Sequence, residues 1–288
     1  MSLMFRTYDG LALQGRVWPC RDARGTIVIV HGLGEHIGRY AHVAASLNTH
    51  GWSVVGYDQR GHGASEGGRA RLGAVDDLLR DLAVVLDAVR GAADFVSPLV
   101  LLGHSMGGAV AARFVAGGVE LPKPAWSRAV DALVLSSPAL DLGMTVVQKA
   151  MLATLGPLTP DLAIGTGVKP TGISRDPAVV AAYMADSLVH DRITPRLTRF
   201  MVDAGLAVRS LAPRWAVSTL LLYAGTDRYV RPAGSAAFAA AAPQGVVTAR
   251  EFAPLFHEIF NEPEQAEVLS VLAEWLDTLP VSPSRSPR

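Results

Sequence analysis

The sequence predicts an α/β fold: a mostly parallel central sheet with an N-terminal antiparallel hairpin and an inserted helical lid. Three observations lead there. Short β-branched runs alternate with helical patterns along most of the 288 residues. That alternation stops between about residues 141 and 218. Near the start, an Asp9-Gly10 dipeptide separates two alternating stretches, which is the pattern of a tight hairpin turn.

Taken in order, residues 3–18 form the hairpin at the edge of the sheet. Thr26-Ile27-Val28-Ile29-Val30 is a continuous β-branched run, as expected of a strand covered on both faces. It runs into the glycine-rich His31-Gly32-Leu33-Gly34-Glu35-His36. A helical pattern from 40 to about 49, a strand over 53–57 and a helix near 74–90 follow, the last with Leu78, Leu82, Val85, Leu86 and Val89 on one face. The strand 99–104 leads into another helix, and 132–135 is again strand-like.

Over 141–217 no strand-like run occurs. Helical pieces at 145–155, 177–189 and 195–206 are separated by breakers such as Gly156-Pro157 and Gly165-Thr166-Gly167. The economical reading is a helical lid across the carboxyl edge of the sheet. Met144, Val147, Met151, Leu152, Leu155 and Leu158 fit two readings there, helix–helix core or the wall of an apolar substrate groove. The sheet resumes at 220–223, followed by a helix from 232, a strand over 246–252 and an amphipathic helix over 263–279. The expected organisation is therefore a core of 1–140 and 218–279, a lid of 141–217, and a disordered Pro-, Ser- and Arg-rich tail at 280–288.

Half of the residues are hydrophobic, and 26 Lys and Arg balance 26 Asp and Glu. Such a chain can bury a large core, and it carries no whole-chain electrostatic footprint for nucleic acid or an anionic membrane. Small, weakly charged partners suit it better. Cys20 is the only cysteine, which excludes an internal disulfide and a multi-cysteine metal site. Charged residues from Arg6 to Arg24 interrupt every early apolar run, and no run elsewhere approaches the ~18 residues of a membrane span. A soluble, cytoplasmic protein is expected, with neither metal nor cofactor.

The chemistry centres on Gly103-His104-Ser105-Met106-Gly107-Gly108, a Gly-x-Ser-x-Gly turn between a strand and a helix. So sharp a turn thrusts the serine hydroxyl clear of the backbone beside the free N–H groups of a helix start. Gly63-Ala64-Ser65-Glu66-Gly67 has the same pattern, but it lies in a loop with no helix after it, so Ser105 is the candidate nucleophile.

A serine hydroxyl needs an imidazole to accept its proton, and the imidazole needs an acid to orient it. His257, just past the last strand, lies at the same edge as Ser105. His190 belongs to the insertion and is expected away from that edge. Asp227 follows a strand and completes the chain order Ser, Asp, His known for this arrangement; Asp141 and Asp131 are weaker rivals. The oxyanion donors expected are the backbone N–H groups of Leu33 and Met106. His31 and His62 read as loop-ordering residues, with Asp58 and Arg60 bracing their loop.

Together with Ser136-Ser137-Pro138-Ala139 and Gly225-Thr226-Asp227, the segments from His31 to Tyr40, Asp58 to Ser65 and Gly103 to Gly108 resemble the monoacylglycerol lipase and lysophospholipase-like branch of the α/β-hydrolases. The resemblance spans nearly the whole chain and is weakest in the lid. It implies cleavage of carboxylic esters, such as lipid monoesters, through an acyl-enzyme. It also implies that Glu35 and Arg39 line a polar pocket for a glycerol head group, while the residues alone equally allow a salt bridge bracing the oxyanion loop. Where animal members carry a second histidine three residues beyond the catalytic one, this chain has Phe260, which weakens the case for glycerol.

A lysophospholipase, a general carboxylesterase, or an acyltransferase or thioesterase would use the same residues. A binding module on a retired hydrolase fold fits an intact Ser, His and Asp set poorly. The expected partner is a small ester or lipid, with room for transient membrane or micelle contact through the lid.

Overall fold

The structure, a computed structural model, describes residues 1–280; apart from Pro280, the tail expected to be disordered lies outside them. The main sheet contains β1 (Ser2–Arg6), β2 (Ala12–Trp18), β3 (Gly25–Val30), β4 (Trp52–Tyr57), β5 (Leu99–His104) and β6 (Ala132–Ser136). Two short strands, β7 (Ile164–Gly165) and β8 (Arg192–Ile193), lie apart from it, and β9 (Ser218–Ala224) and β10 (Val247–Phe252) complete it. Its order is β1-β2-β4-β3-β5-β6-β9-β10. The first two strands pair antiparallel, with Gly10 at φ +91° in the turn, and β2 also runs antiparallel to β4. All the other pairings are parallel.

The period of two in each strand sorts the core into two layers. Ile27 and Ile29 of β3 face α1 (Ala41–Thr49) and α8 (Gln265–Asp277), where they meet Leu47 and Leu272. Val28 and Val30 face the opposite layer of α2 (Asp77–Gly91) and α3 (Ser105–Ala116). Helix α2 begins at Asp77, later than the periodicity suggests. The Asp77 carboxylate accepts the N–H groups of Gly73 and Ala74 and so holds the preceding residues as a turn.

The insertion between β6 and β9 contains α4 (Val146–Thr154), α5 (Pro177–Ala185) and α6 (Pro195–Leu211). Contrary to the expectation of no strand there, β7 and β8 pair antiparallel, Ile164 opposite Ile193. A second difference concerns α4. It buries no residue, and Val147, Met151, Leu155 and Leu158 are exposed, so they form neither a helix–helix core nor a groove wall. An apolar stripe marks a face to be covered but does not say by what. By contrast, α6 lays Leu197, Phe200, Met201, Ala204 and Val208 into the α3 layer of the core. After α7 (Pro232–Ala241) and β10, helix α8 closes the opposite layer.

The loop after β4 is braced by buried charge. Arg60, 2% exposed, donates to both oxygens of Asp81 at 2.6 and 2.7 Å, to Asp77 at 2.7 Å and to Asp9 at 3.0 and 3.1 Å. This ties the hairpin turn to α2. Burial still pushes the Asp81 carboxyl up, to about 6, against the pull of Arg60. Replacing Arg60 with Met leaves these carboxylates without their counter-charge, and we expect a loss of about 3–5 kcal/mol in urea unfolding at pH 7. Without Arg60 the Asp81 carboxyl is pushed up further, so the deficit narrows as the pH falls toward about 6 and stops changing on account of Asp81 below that, where it is protonated in both proteins. A loss under about 1 kcal/mol at neutral pH would contradict this bracing role.

Candidate active site

The turn from β5 into α3 carries Ser105 at φ +53°, a left-handed conformation that a residue with a side chain adopts only under constraint. The glycines around it make the turn feasible. A Cβ on Gly107 would strike the carbonyl oxygens of Val30 and His31, and one on Gly103 would strike the Gly107 backbone. Strand β5 and helix α3 therefore approach at hydrogen-atom range. The Ser105 carbonyl accepts the Ala139 N–H at 2.9 Å, which ties the turn to the end of β6.

His257 stands in the loop after β10, with Nε2 2.8 Å from Ser105 Oγ and Nδ1 2.7 Å from Asp227 Oδ2. Asp227, in the loop after β9, accepts the N–H groups of Tyr229 and Val230 through its other oxygen at 2.8 and 3.1 Å. Burial pushes the Asp227 carboxyl up, but the His257 imidazole and those N–H groups outweigh it and hold the group below the usual carboxylate range. At His257 burial favours the neutral ring, and Asp227 overrides it and raises the imidazole above 6.5. The His104 ring lies 4.9 Å from that of His257, and burial together with His257 lowers it to about 4, so it stays neutral.

The loop after β3 is held one peptide at a time. The Gln59 N–H donates to His31 Nε2 at 2.9 Å, so His31 carries its proton on Nδ1 and donates to the Gly32 carbonyl at 2.7 Å. Burial lowers the His31 pKa and keeps the ring neutral against the pull of Glu35 and Asp58. In a trans peptide the N–H points opposite to the C=O. Holding the Gly32 carbonyl therefore directs the Leu33 N–H away from His31. Glu35 Oε1 accepts the Gly32 N–H at 2.6 Å and the Tyr40 hydroxyl at 2.7 Å. Leu33 and Met106 line the same pocket as Ser105 and His257. Met106 is in the first turn of α3, where N–H groups have no partner within the helix.

The pocket has an apolar wall of Leu142, Val168, Ile173, Ile193, Met201 and Val230. Its polar corner holds Glu35, His104, Tyr183 and Glu258. Arg39 lies behind that corner. It donates to Glu35 at 2.7 Å and to both oxygens of Glu258 at 2.7 and 2.6 Å, and its guanidinium stacks 4.8 Å from the centre of the Tyr183 ring. Burial raises the Glu35 carboxyl, but Arg39 and the neighbouring polar groups bring it down to about 2.

Ser105, Asp227 and His257 thus meet, with Leu33, Met106 and Glu35 around them. The rivals do not join them. Ser65 donates to the Asp58 carbonyl, Asp131 caps the far end of β5 by accepting the Leu99 N–H, and Asp141 accepts the N–H of Gly143. His190 departs from expectation. The insertion folds back so that the residue lines the pocket, its N–H donating to the Gly34 carbonyl at 2.8 Å and its ring 4.7 Å from that of His62. Sequence reasoning missed Glu258 and Tyr183. Adjacency to His257 was the one available signal for the first, and nothing marked the second.

Residues 21–264 match the family described as serine aminopeptidase, S33. A monoacylglycerol lipase of Mycolicibacterium smegmatis is 33% identical over 276 residues, covering 94% of this chain and 95% of that protein. A phospholipase, YtpA, of Bacillus subtilis is 28% identical over 265 residues, covering 90% of this chain and 98% of its own. The crystal structure of Paleococcus ferrophilus monoacylglycerol lipase aligns with a TM-score of 0.82 and 31% identity, over 93% of this chain and 99% of that one.

The electrostatics of the site give a measurable titration. Followed by NMR, the His257 ring should titrate with a midpoint above 6.5, because the Asp227 charge favours the protonated form. Asp227→Asn removes that charge and should move the midpoint down. A wild-type midpoint at or below 6.5, or one that Asp227→Asn leaves in place, would contradict the coupling.

Proposed function

The chain belongs to the serine aminopeptidase S33 family, and from that premise we propose that it cleaves monoacylglycerols and similar lipid monoesters. It is a carboxylic-ester hydrolase. The observation that carries the substrate reading is the unbroken hydrogen-bonded series from Ser105 through His257 to Asp227, opening on a pocket with an apolar wall and one polar corner.

In this reading Ser105 Oγ attacks the ester carbonyl while His257 Nε2 takes its proton. The carbonyl oxygen becomes an oxyanion that accepts hydrogen bonds from the Leu33 and Met106 N–H groups. The tetrahedral species collapses, the proton on His257 Nε2 passes to the departing alkoxide, and glycerol leaves. Water then attacks the acyl-enzyme with His257 again as base, and the fatty acid departs as Ser105 regains its proton. Asp227 holds the imidazole in the required tautomer and stabilises its charge. Neither a metal nor a cofactor enters the scheme.

The polar corner supports a neutral head group. Glu35 already accepts three donors, from Gly32, Tyr40 and Arg39, which leaves about one lone-pair site for a hydroxyl. A phosphate would instead meet two carboxylates, which disfavours the lysophospholipase alternative. Arg39 acts through Glu35 and Glu258, since its guanidinium lies behind the pocket wall. We read the insertion 141–217 as the lid, although its α6 also packs into the core, and the exposed Val146, Val147 and Met151 of α4, with Leu155 just after it, as a face for transient contact with a lipid aggregate. Among the described residues no helix is long and apolar enough to cross a membrane. A cytoplasmic location, with the lone Cys20 unpaired, remains our reading.

With 1-monooleoylglycerol as substrate, Ser105→Ala should lower kcat by at least about 10⁴-fold while the far-UV CD spectrum and thermal transition stay unchanged. The wild type should hydrolyse this substrate faster than the matching lysophosphatidylcholine. Residual turnover within tenfold of wild type, or the opposite substrate preference, would overturn the reading.

A further inference from the structure

Behind the polar corner, one cation holds together two loops that carry opposite halves of the site. Arg39 lies in the short helical turn that follows the loop after β3, the loop that carries Leu33, and Glu258 directly follows His257. The two side chains meet across 219 positions of sequence, with both guanidinium nitrogens Nη1 and Nη2 on the two Glu258 oxygens at 2.7 and 2.6 Å. Both are largely buried, at 11% and 7% side-chain exposure. The same Nη1 donates to Glu35, whose other oxygen accepts the Gly32 N–H. A continuous path therefore runs from the backbone of the His257 loop, through Glu258, Arg39 and Glu35, to the backbone one residue before Leu33.

Resting on the reading that Ser105, His257 and the Leu33 N–H act together, we propose that Glu258 is a positioning residue: through Arg39 and Glu35 it fixes the spacing between the His257 imidazole and the Leu33 N–H. The fork-to-fork geometry suits that role. A bidentate guanidinium–carboxylate pair constrains direction as well as distance. Asn261 Nδ2 donates to Glu258 at 2.9 Å, and the Glu258 N–H donates to the Ile173 carbonyl at 2.8 Å, so the carboxylate is fixed on its own side as well. Three donors, Arg39 Nη1 and Nη2 and Asn261 Nδ2, converge on this carboxylate and set its direction.

The alternative for Glu258, a contact to the substrate head group, predicts a different kinetic signature. A positioning residue acts on the transition state whatever the alcohol, so kcat falls and KM holds. A head-group contact raises KM for a glyceride and leaves a simple ester untouched.

The test uses p-nitrophenyl butyrate and 1-monobutyrylglycerol with the full-length enzyme and three variants, Glu258→Ala, Glu258→Gln and Arg39→Ala, plus the Glu258→Ala/Arg39→Ala double. We expect Glu258→Ala to lower kcat by about 10–100-fold on both esters with KM within about threefold. Glu258→Gln retains one acceptor for Arg39 and should recover part of that loss, and it keeps the test open if Glu258→Ala does not fold. The double variant should be no slower than the worse single one, because both break the same connection.

Wild-type kcat in Glu258→Ala (or, where that variant does not fold, in Glu258→Gln), a loss confined to KM for the glyceride, or fully additive losses in the double would overturn the proposal. Failure of the wild type to turn over either ester would instead sink the catalytic reading beneath it.

Discussion

Ser105 is held at φ +53° by close packing on both sides, and the rest of the site is arranged around that one strained residue. A non-glycine residue in this conformation costs about 1–3 kcal/mol, and the cost is sustained because Gly103 and Gly107 let α3 sit directly on β5 and on the end of β3. The turn fixes two things at once: where the hydroxyl points, and where the first N–H groups of α3 emerge. Because β3, β5, β6, β9 and β10 run parallel, the loops carrying Leu33, Asp227 and His257 all leave the sheet at that same end. Geometry at one turn and topology of the sheet together account for the assembly.

Burial then decides which groups carry charge. His31 and His104 are wholly enclosed and stay neutral, the first as a fixed donor to the Gly32 carbonyl, the second as a spacer against His257. His257 is as deeply placed, yet its pKa moves the other way, because Asp227 stands 2.7 Å from its Nδ1. The same enclosure makes the Glu35–Arg39–Glu258 group costly to leave half-formed, since a buried carboxylate without its partner is strongly unfavourable. In the proposed mechanism that rigidity favours holding an oxyanion, because donors already in place need not reorganise when charge develops.

Much of this was legible in the sequence because strand ends and glycine patterns are local signals. The Gly-x-Ser-x-Gly turn, the His31-Gly32 loop and an acid and a histidine after late strands each sit beside a recognisable run. What escaped notice depends on contacts between distant segments. Glu258 meets Arg39 only because the first and last parallel strands of the core bring their loops to one rim. His190 reaches the pocket only because the insertion folds back and its backbone pairs with Gly34. The apolar stripe of α4 suggested a buried face, yet periodicity cannot tell burial within a chain from a face left for something outside it. α6 has the converse history, since its breaker-flanked pattern grouped it with the insertion while its side chains complete the core.

The proposed oxyanion site consists of two backbone N–H groups, from loops far apart in sequence, converging where Ser105 would generate the charge. A crystal structure of the enzyme covalently modified at Ser105 by an alkyl fluorophosphonate tests this directly, since the phosphonyl oxygen stands where the oxyanion would be. The result expected is that oxygen within about 2.7–3.1 Å of both the Leu33 and Met106 nitrogens, with the alkyl chain along Ile193 and Met201. A phosphonyl oxygen turned to solvent, or bonded to neither nitrogen, would contradict it.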